Sequence, residues 1–298
     1  MTSLTTSKFS LWVLAARPKT LPAAGAPVLV AIAFSIRAGS FQLLPAVACL
    51  LISLVMQIGA NISNDLFDND RGSDTEERLG PTRMTASGLI SAREMRIATI
   101  LIFGFTAFIG LYLVWLRGWG VLILGIAIIL AALAYTGGPF PYGYYALGDV
   151  FVFLSFGLAA VCGSYYAIVG KLPVSIILAA IPIGLLIVNI LVVNNTRDID
   201  TDRSARKHTL AVLLGRGAMQ IEYLVCLLGA YLIPLGMWLL GITSWGVIFT
   251  WLSFPLAISQ YRKFTRFSGR ELNLVLAGTA QLALIFSILF SLGIVLVR

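Results

Sequence analysis

Charge is what this chain has least of. Only 11% of its 298 residues are Asp, Glu, Lys or Arg, against roughly 25% in an ordinary soluble domain. Histidine occurs once, at His208, and the three cysteines, Cys49, Cys162 and Cys226, all sit inside apolar runs. That pattern excludes a disulfide framework and a Cys/His zinc site; a thiol in such a run serves as a small hydrophobe. Met1 to Lys19 lacks a short apolar core followed by a small-residue cleavage site, so no cleaved signal peptide is expected. No soluble block interrupts the apolar segments, and residues 1–298 read as a single membrane-embedded domain.

What the chain has instead is hydrophobic residues, 59% of the total. A membrane-spanning helix needs roughly 20 of them in succession. Nine candidates appear, at about 21–36, 42–64, 96–116, 119–135, 147–169, 173–196, 218–241, 243–260 and 273–296. The expected fold is therefore all-α and polytopic. The first span is short and extends backwards through an amphipathic stretch from Phe9 to Thr20. Cytoplasmic loops collect Lys and Arg. With the N-terminus inside, nine spans put seventeen of the twenty-one basic residues on the cytoplasmic face and leave Arg37, Arg117, Lys171 and Arg298 outside. A miscounted span would scramble that partition. It also accounts for the net charge of +8 without a nucleic-acid partner.

The carboxylates are rarer still, and they are not scattered. Six of the thirteen lie between Asp65 and Glu77, at the end of the second span. A second cluster, Asn194-Asn195-Thr196-Arg197-Asp198-Ile199-Asp200-Thr201-Asp202, ends the sixth span. Both fall on the cytoplasmic side. If the helices continue through them, Asn64 and Asp68 share one face, and so do Asn194, Asp198 and Asp202, because residues four apart are neighbours on a helix. Carboxamides and carboxylates supply the oxygen ligands that Mg2+ prefers, and Mg2+ commonly bridges protein carboxylates to phosphates. A solvated acidic loop is the plainer alternative for the first cluster, yet Asn61, Asn64, Asp65 and Asp68 follow the apolar run with no turn residue before Asn69. In the second, Arg197, Arg203, Arg206 and Lys207 are interleaved with the acids. The positive-inside rule predicts those cations but not the carboxylates, and the combination is what a diphosphate site needs. His208, in the same loop, reads as a solvated residue.

Between the clusters lies Tyr135-Thr136-Gly137-Gly138-Pro139-Phe140-Pro141-Tyr142-Gly143-Tyr144-Tyr145. Its glycines and prolines exclude a continuous helix. Its tyrosines suit either an aromatic belt at the membrane interface or the face of a carbocationic ligand. Asp149 opens an otherwise uncharged span just beyond it.

Taken together, the two clusters, the nine spans and the tyrosine turn resemble the UbiA superfamily of intramembrane aromatic prenyltransferases. Asn64-Asp65 through Asp74-Thr75, Arg78, Gly80-Pro81-Thr82-Arg83, the Tyr135–Pro141 turn, Asn194-Asn195 with Arg197-Asp198, and Lys207–Ala211 resemble its menaquinone branch, the 1,4-dihydroxy-2-naphthoate polyprenyltransferases. Ala16-Arg17-Pro18-Lys19-Thr20-Leu21-Pro22 fits the same branch. The superfamily's usual NDxxDxxxD spacing would put a third aspartate at position 72, which is Gly72; Asp70 and Asp74 flank it.

The resemblance implies a helical bundle around a central cavity open to the cytoplasmic face, in a bacterial inner or plasma membrane or a thylakoid-type membrane. It implies transfer of a polyprenyl group from its diphosphate to 1,4-dihydroxy-2-naphthoate, with loss of carbon dioxide. On this reading Mg2+ is held by Asn64, Asp65, Asp68, Asp74, Asn194, Asp198 and Asp202. Arg83, Arg197 and Lys207 bind the diphosphate, and Asp68, Asp198, Asp202, Tyr135 and Asp149 serve the chemistry. The prenyl tail lies in or beside membrane lipid. Three rivals fit less well. A transporter would carry its acids near the bilayer midplane on broken helices. The CDP-alcohol phosphotransferases carry a DGxxAR signature that is missing from this sequence. The ubiquinone, tocopherol, haem and chlorophyll branches of the superfamily differ in the acceptor.

Overall fold

A computed structural model describes residues 7–72 and 78–297, and among these it is all helix and connecting turn, with no strand. In chain order the helices are α1 (Lys8–Ala16), α2 (Leu21–Arg37), α3 (Leu43–Asp70), α4 (Ala92–Arg117), α5 (Trp119–Ala134) and α6 (Gly148–Val152). A π-helical stretch, Phe153–Ala159, joins α6 to α7 (Ala160–Val169). Then come α8 (Val174–Arg197), α9 (Ile199–Ser204), α10 (Leu210–Leu239), a 3-10 segment Trp245–Ser253 leading into α11 (Phe254–Arg266), and α12 (Leu272–Leu296).

Seven of these units are long and apolar enough to cross a membrane: Lys8–Arg37, Leu43–Asp70, Ala92–Arg117, Gly148–Val169, Val174–Arg197, Leu210–Leu239 and Gly269–Leu296. The other two expected spans take different forms. The helix α5 has 16 residues, roughly 24 Å at 1.5 Å per residue, against a hydrocarbon core of about 30 Å. The segment expected at 243–260 changes from 3-10 to α geometry at Phe254. Seven long helices are thus established, and nine crossings are not.

Helix α8 is the axis of the bundle. Ile176, Ala179, Ile183, Leu186, Val192 and Val193 on it are buried in one apolar core with α10, α12 and the π-helical stretch. Apolar burial gives no net drive between helices surrounded by lipid, so small residues that admit close contact decide where helices cross. Gly157 in the π-helical stretch meets Gly184 of α8 so closely that a Cβ on Gly157 would lie 2.8 Å from the Gly184 Cα. The aromatic rings of Phe34, Phe286 and Phe290 fill the space between α2 and α12, with Phe34 edge-on to Phe290 at 5.8 Å.

The two ends of the bundle differ in what their charged groups do. At one end Arg37 donates to Ser244 and to the carbonyls of Ile294 and Val297, and Arg117 donates to the carbonyls of Ala167 and Ile168. At the other end α3 and α8 deliver their acidic termini into one cavity. Cys49, Cys162 and Cys226 are all free thiols.

Candidate active site

The first acidic cluster begins as helix, as its lack of turn residues before Asn69 implies: α3 runs unbroken to Asp70. Asn64 and Asp68, one turn apart, both line a cavity of about 210 Å³. Asp68 is almost wholly buried. Its Oδ2 accepts from Arg83 Nη2 at 2.5 Å, and its Oδ1 accepts from Tyr144 Oη at 2.9 Å and Lys207 Nζ at 3.3 Å. Asn64 Oδ1 accepts from Thr136 Oγ1 at 2.9 Å. Asp65 is placed differently from expectation. It lies off the cavity, and its two oxygens accept the backbone N–H groups of Met84 and Thr85 at 2.9 and 3.0 Å. One residue along from Asn64, it is rotated by about 100° on the helix, so it reaches the loop rather than the cavity. Asp70 pairs with Arg96 of α4 at the exposed helix end. Asp74 lies outside the described residues.

In the second cluster the helix breaks, but the face survives. Asp198 is the C-cap of α8, and the Asp202 N–H still reaches the Asp198 carbonyl at 2.7 Å. Asn194, Asp198 and Asp202 therefore line the same cavity as Asn64 and Asp68. Burial pushes the Asp202 carboxyl up to about 7; Lys207, 3.9 Å away, opposes the shift, and Asp198 and Asp68 add to it. Arg197, expected on the diphosphate, is committed elsewhere. Its Nε and Nη2 grip the Asp198 carboxylate at 2.8 and 2.5 Å, its Nη2 also reaches Asn194 Oδ1 at 2.9 Å, and its Nη1 reaches Asn273 Oδ1 of α12 at 2.7 Å. All three guanidinium nitrogens are used, and Arg197 does not line the cavity. Asn273 in turn donates to the Leu79 carbonyl at 2.9 Å. Gly80 lies against the same guanidinium, where a Cβ would stand 2.8 Å from Nη2.

The tyrosine turn closes the cavity from a third side. Arg71 holds it by donating to the Thr136 carbonyl at 2.9 Å and to the Gly138 carbonyl. The His208 N–H donates to the Tyr144 carbonyl at 2.8 Å, while the residue itself is exposed. Lys207 Nζ stands 4.6 Å from the centre of the Tyr144 ring. Tyr135 lies edge-on to Tyr142 at 5.4 Å, and burial, with Asp149 next, holds its phenol above the ordinary range, so it is neutral. Asp149 is buried at the start of α6 and lines neither cavity. Its charge disfavours ionisation of Tyr135.

Five carboxylates and carboxamides, Asn64, Asp68, Asn194, Asp198 and Asp202, thus converge with Arg83, Lys207 and Tyr135. Sequence reading missed three further lining residues: Arg17, Arg78 and Tyr144. All three sit inside stretches already singled out, Arg17 before the first span, Arg78 beside Gly80–Arg83 and Tyr144 in the tyrosine turn. A second, larger cavity of about 400 Å³, walled by α3, α4, α5 and α7, is almost wholly apolar. The two share Gln57, Asn61, Asn64, Tyr135, Val152 and Phe156, so the polar chamber leads directly into the apolar one. Among the described residues no group of three or more His, Cys, Asp and Glu could by itself hold a metal. The donors fit a hard divalent cation nonetheless. They are all oxygens, two from carboxamides and three from carboxylates that face one cavity, the ligand type such a cation prefers.

The sequence profile of the UbiA prenyltransferase family matches residues 24–285. The 1,4-dihydroxy-2-naphthoate octaprenyltransferase of Haemophilus influenzae is 38% identical, over 97% of each chain. That of Bacillus subtilis is 31% identical over 96% of this chain and 92% of its own. Among solved structures, a UbiA homologue from Archaeoglobus fulgidus bound to GPP and Mg2+ superposes with a TM-score of 0.68 at 17% identity, covering 97% of this chain and all of the other. At that identity the likeness establishes the fold.

Proposed function

The chain belongs to the UbiA prenyltransferase family, and from that premise we infer how its two chambers divide one reaction. It transfers a polyprenyl group from a prenyl diphosphate to 1,4-dihydroxy-2-naphthoate, a step of menaquinone synthesis, as its relatives at 31–38% identity over nearly the full chain support. The observation that carries the division of labour is the seam at Asn64 and Tyr135, where a chamber of charged and carboxamide groups opens into an apolar one.

The diphosphate belongs in the polar chamber. Arg83, Lys207 and Arg78 supply its cationic contacts, in Arg197's stead. Asn64, Asp68, Asn194, Asp198 and Asp202 would hold Mg2+, and Asp74 is a further candidate ligand. Bound there, Mg2+ would neutralise the diphosphate and favour its departure. Asp65 holds the loop that carries Arg83, and Arg197 fixes the position of Asp198. The prenyl tail belongs in the apolar chamber between α3, α4, α5 and α7. When the C1–O bond breaks, its electron pair leaves with the diphosphate and an allylic cation remains at the seam. The neutral Tyr135 ring can stabilise that cation, and the apolar wall keeps water from it. The ring carbon that carries the carboxylate then bonds to C1, and the carboxylate leaves from that carbon as carbon dioxide, returning the electron pair of the broken bond to the ring. The charge of Asp149 helps keep the Tyr135 phenol neutral.

Residues 1–298 act as one domain in this reading. The protein is integral to the membrane, and the seventeen-to-four charge partition expected from nine spans supports a cytoplasmic chamber mouth and N-terminus. The test is incubation of the purified protein in lipid with Mg2+, a series of prenyl diphosphates, and either 1,4-dihydroxy-2-naphthoate or 4-hydroxybenzoate, with products identified by mass. A prenylated, decarboxylated naphthalenediol is expected, with 4-hydroxybenzoate unchanged. Preferential prenylation of 4-hydroxybenzoate would move the chain to the ubiquinone branch.

A further inference from the structure

A further concentration of charge lies outside both chambers, on α11 and the turn after it. Unlike the membrane-spanning helices, α11 is short, with 13 residues, and two-sided. Ala257, Gln260 and Phe264 are buried, and their spacing of three and four residues puts them on one face. Arg262, Lys263 and Arg266 fall on the other face, within an arc of about 100°. All three are exposed, and so is Arg270 beyond the helix end. The last turn of a helix ordinarily draws cations because its carbonyls lack partners. Here that need is met from inside the bundle. Arg216 of α10 donates to the carbonyls of Phe264 at 3.2 Å and Thr265 at 3.4 Å, and to that of Phe267. Carboxylates do not answer the four cations either. Lys8, Arg96 and Arg203 pair with Glu94, Asp70 and Asp200. Among the described residues Arg262, Lys263, Arg266 and Arg270 make no ion pair, although Glu271 is next in the chain.

The patch stands at the chamber end of the bundle, where α10 and α12 both begin. Asn273 fixes that level: it donates to the Arg270 carbonyl at 3.0 Å and accepts from Arg197 at 2.7 Å. Leu213 and Leu214, just before Arg216, and Leu274, four residues beyond Arg270, are exposed, as apolar side chains of a spanning helix are where they meet lipid. We propose that Arg262, Lys263, Arg266 and Arg270 form a headgroup site for an anionic phospholipid, whose acyl chains lie against these leucines. The phosphate offers only acceptors to side chains that are only donors. A zwitterionic headgroup carries its own ammonium, which cancels the complementarity, and a soluble anion has nothing to set against the leucines. Basic residues beside a bilayer gain attraction to anionic lipid one by one, within a Debye length of its surface.

The test is native mass spectrometry of the purified protein with dioleoyl phosphatidylglycerol or dioleoyl phosphatidylcholine added in increasing amount. Thermal melts accompany it, in vesicles of phosphatidylcholine alone and of the two lipids in equal parts. Wild type is expected to hold phosphatidylglycerol about tenfold more tightly than phosphatidylcholine, or better. It should also melt higher in the mixed vesicles, with the gain fading at high salt. Replacing Arg262, Lys263, Arg266 and Arg270 together by Gln should bring the two affinities within about twofold and remove the gain. Replacing Lys8, Arg93, Arg96 and Arg203 by Gln removes the same charge elsewhere and should leave the preference intact. Should the first variant fail to fold, the pair Arg262→Gln and Arg266→Gln gives a second reading, with the preference reduced about threefold or more. A wild-type preference in either α11 variant would overturn the proposal. So would an equal drop in the control set, which would make the effect one of net charge. Inorganic phosphate added to the protein in phosphatidylcholine should not raise the melting point; protection equal to that of phosphatidylglycerol would mean a site for a free anion and would refute the lipid.

Discussion

Asp65 and Asp68 stand three residues apart on the same helix, and the structure gives them opposite tasks. Replacing each by Asn separates those tasks, because the amide keeps the shape and removes the charge. At Asp65 the two carboxylate oxygens receive the N–H groups of Met84 and Thr85. An amide offers one oxygen and turns an NH2 group toward the second N–H, so one hydrogen bond to a charged acceptor is lost and a buried donor is orphaned. Such a bond contributes about 1.5–3 kcal/mol. For a protein of this size a loss of that order lowers the melting point by several degrees. The loop that carries Arg83 loosens, so turnover falls, but the Mg2+ concentration for half-maximal rate should hardly move. At Asp68 the lost charge faces the chamber. There the half-saturating Mg2+ should rise sharply and the rate at saturating Mg2+ should fall by about a thousandfold or more, equivalent to several kcal/mol of transition-state stabilisation. Stability suffers as well, since Arg83 and Lys207 lose the anion they share, and removing one partner of a buried pair costs about 3–5 kcal/mol. The assay is a Mg2+ titration of initial rates beside melts on the same preparations. An Asp65→Asn variant with normal melting and a Mg2+ requirement shifted as far as that of Asp68→Asn would refute this assignment and return Asp65 to the metal.

Asp198→Ala should abolish turnover, and so should a chelator added to wild type, with Mg2+ restoring the rate only in the second case; near-normal turnover of Asp198→Ala would remove the second cluster from the site. Gly80→Ala puts a methyl 2.8 Å from Arg197 Nη2, so it should displace the clamp on Asp198 and lower kcat at least several-fold, and a rate equal to wild type would show that the loop yields freely. For topology, single cysteines at positions 78 and 171 should label from opposite sides of an oriented membrane, with 78 cytoplasmic; labelling of both from one side would break the charge-based orientation.

The sequence disclosed the helices and the two clusters because both obey short-range rules. Apolar runs of about 20 residues read directly as long membrane helices, and four-residue spacing put Asn64 beside Asp68 and Asn194 beside Asp198 even though α8 ends between the latter two. Spacing cannot tell which neighbour of a cavity-facing residue turns away from it. Asp65 and Arg197 lie next to Asn64 and Asp198 in the chain, yet a single residue of rotation commits one to the Met84–Thr85 backbone and the other to Asn273. Those partners are 19 and 76 residues distant in sequence, beyond any local pattern. Tyr144 was one tyrosine among several for the same reason: its reach to Asp68 spans 76 residues. The short helix α5 and the 3-10 segment before α11 look like ordinary spans in composition, because hydropathy counts apolar residues and is blind to hydrogen-bond geometry.

The placement of the charges explains why the site is built at helix ends rather than inside the bundle. Asp68, Arg83, Arg197 and Asp198 are all nearly buried, and in a low-dielectric interior each would be costly alone. Here every one is paired: Asp68 with Arg83 and Lys207, Asp198 with Arg197. The pairs do more than offset burial. Arg197 and Asn273 tie the end of α8 to α12 and to Leu79, while Asp65 ties α3 to the backbone beside Arg83. The segment from Leu79 to Thr85 is thereby fixed against both acidic clusters at once. A diphosphate entering the chamber would exchange partners with Asp68 and Lys207, groups already desolvated and oriented, so little reorganisation remains to be done at the moment of bond breaking. The apolar chamber contributes by having no such groups. On the proposed reading, its largely apolar wall would offer the allylic cation the ring of Tyr135 and no charged side chain before the naphthoate arrives.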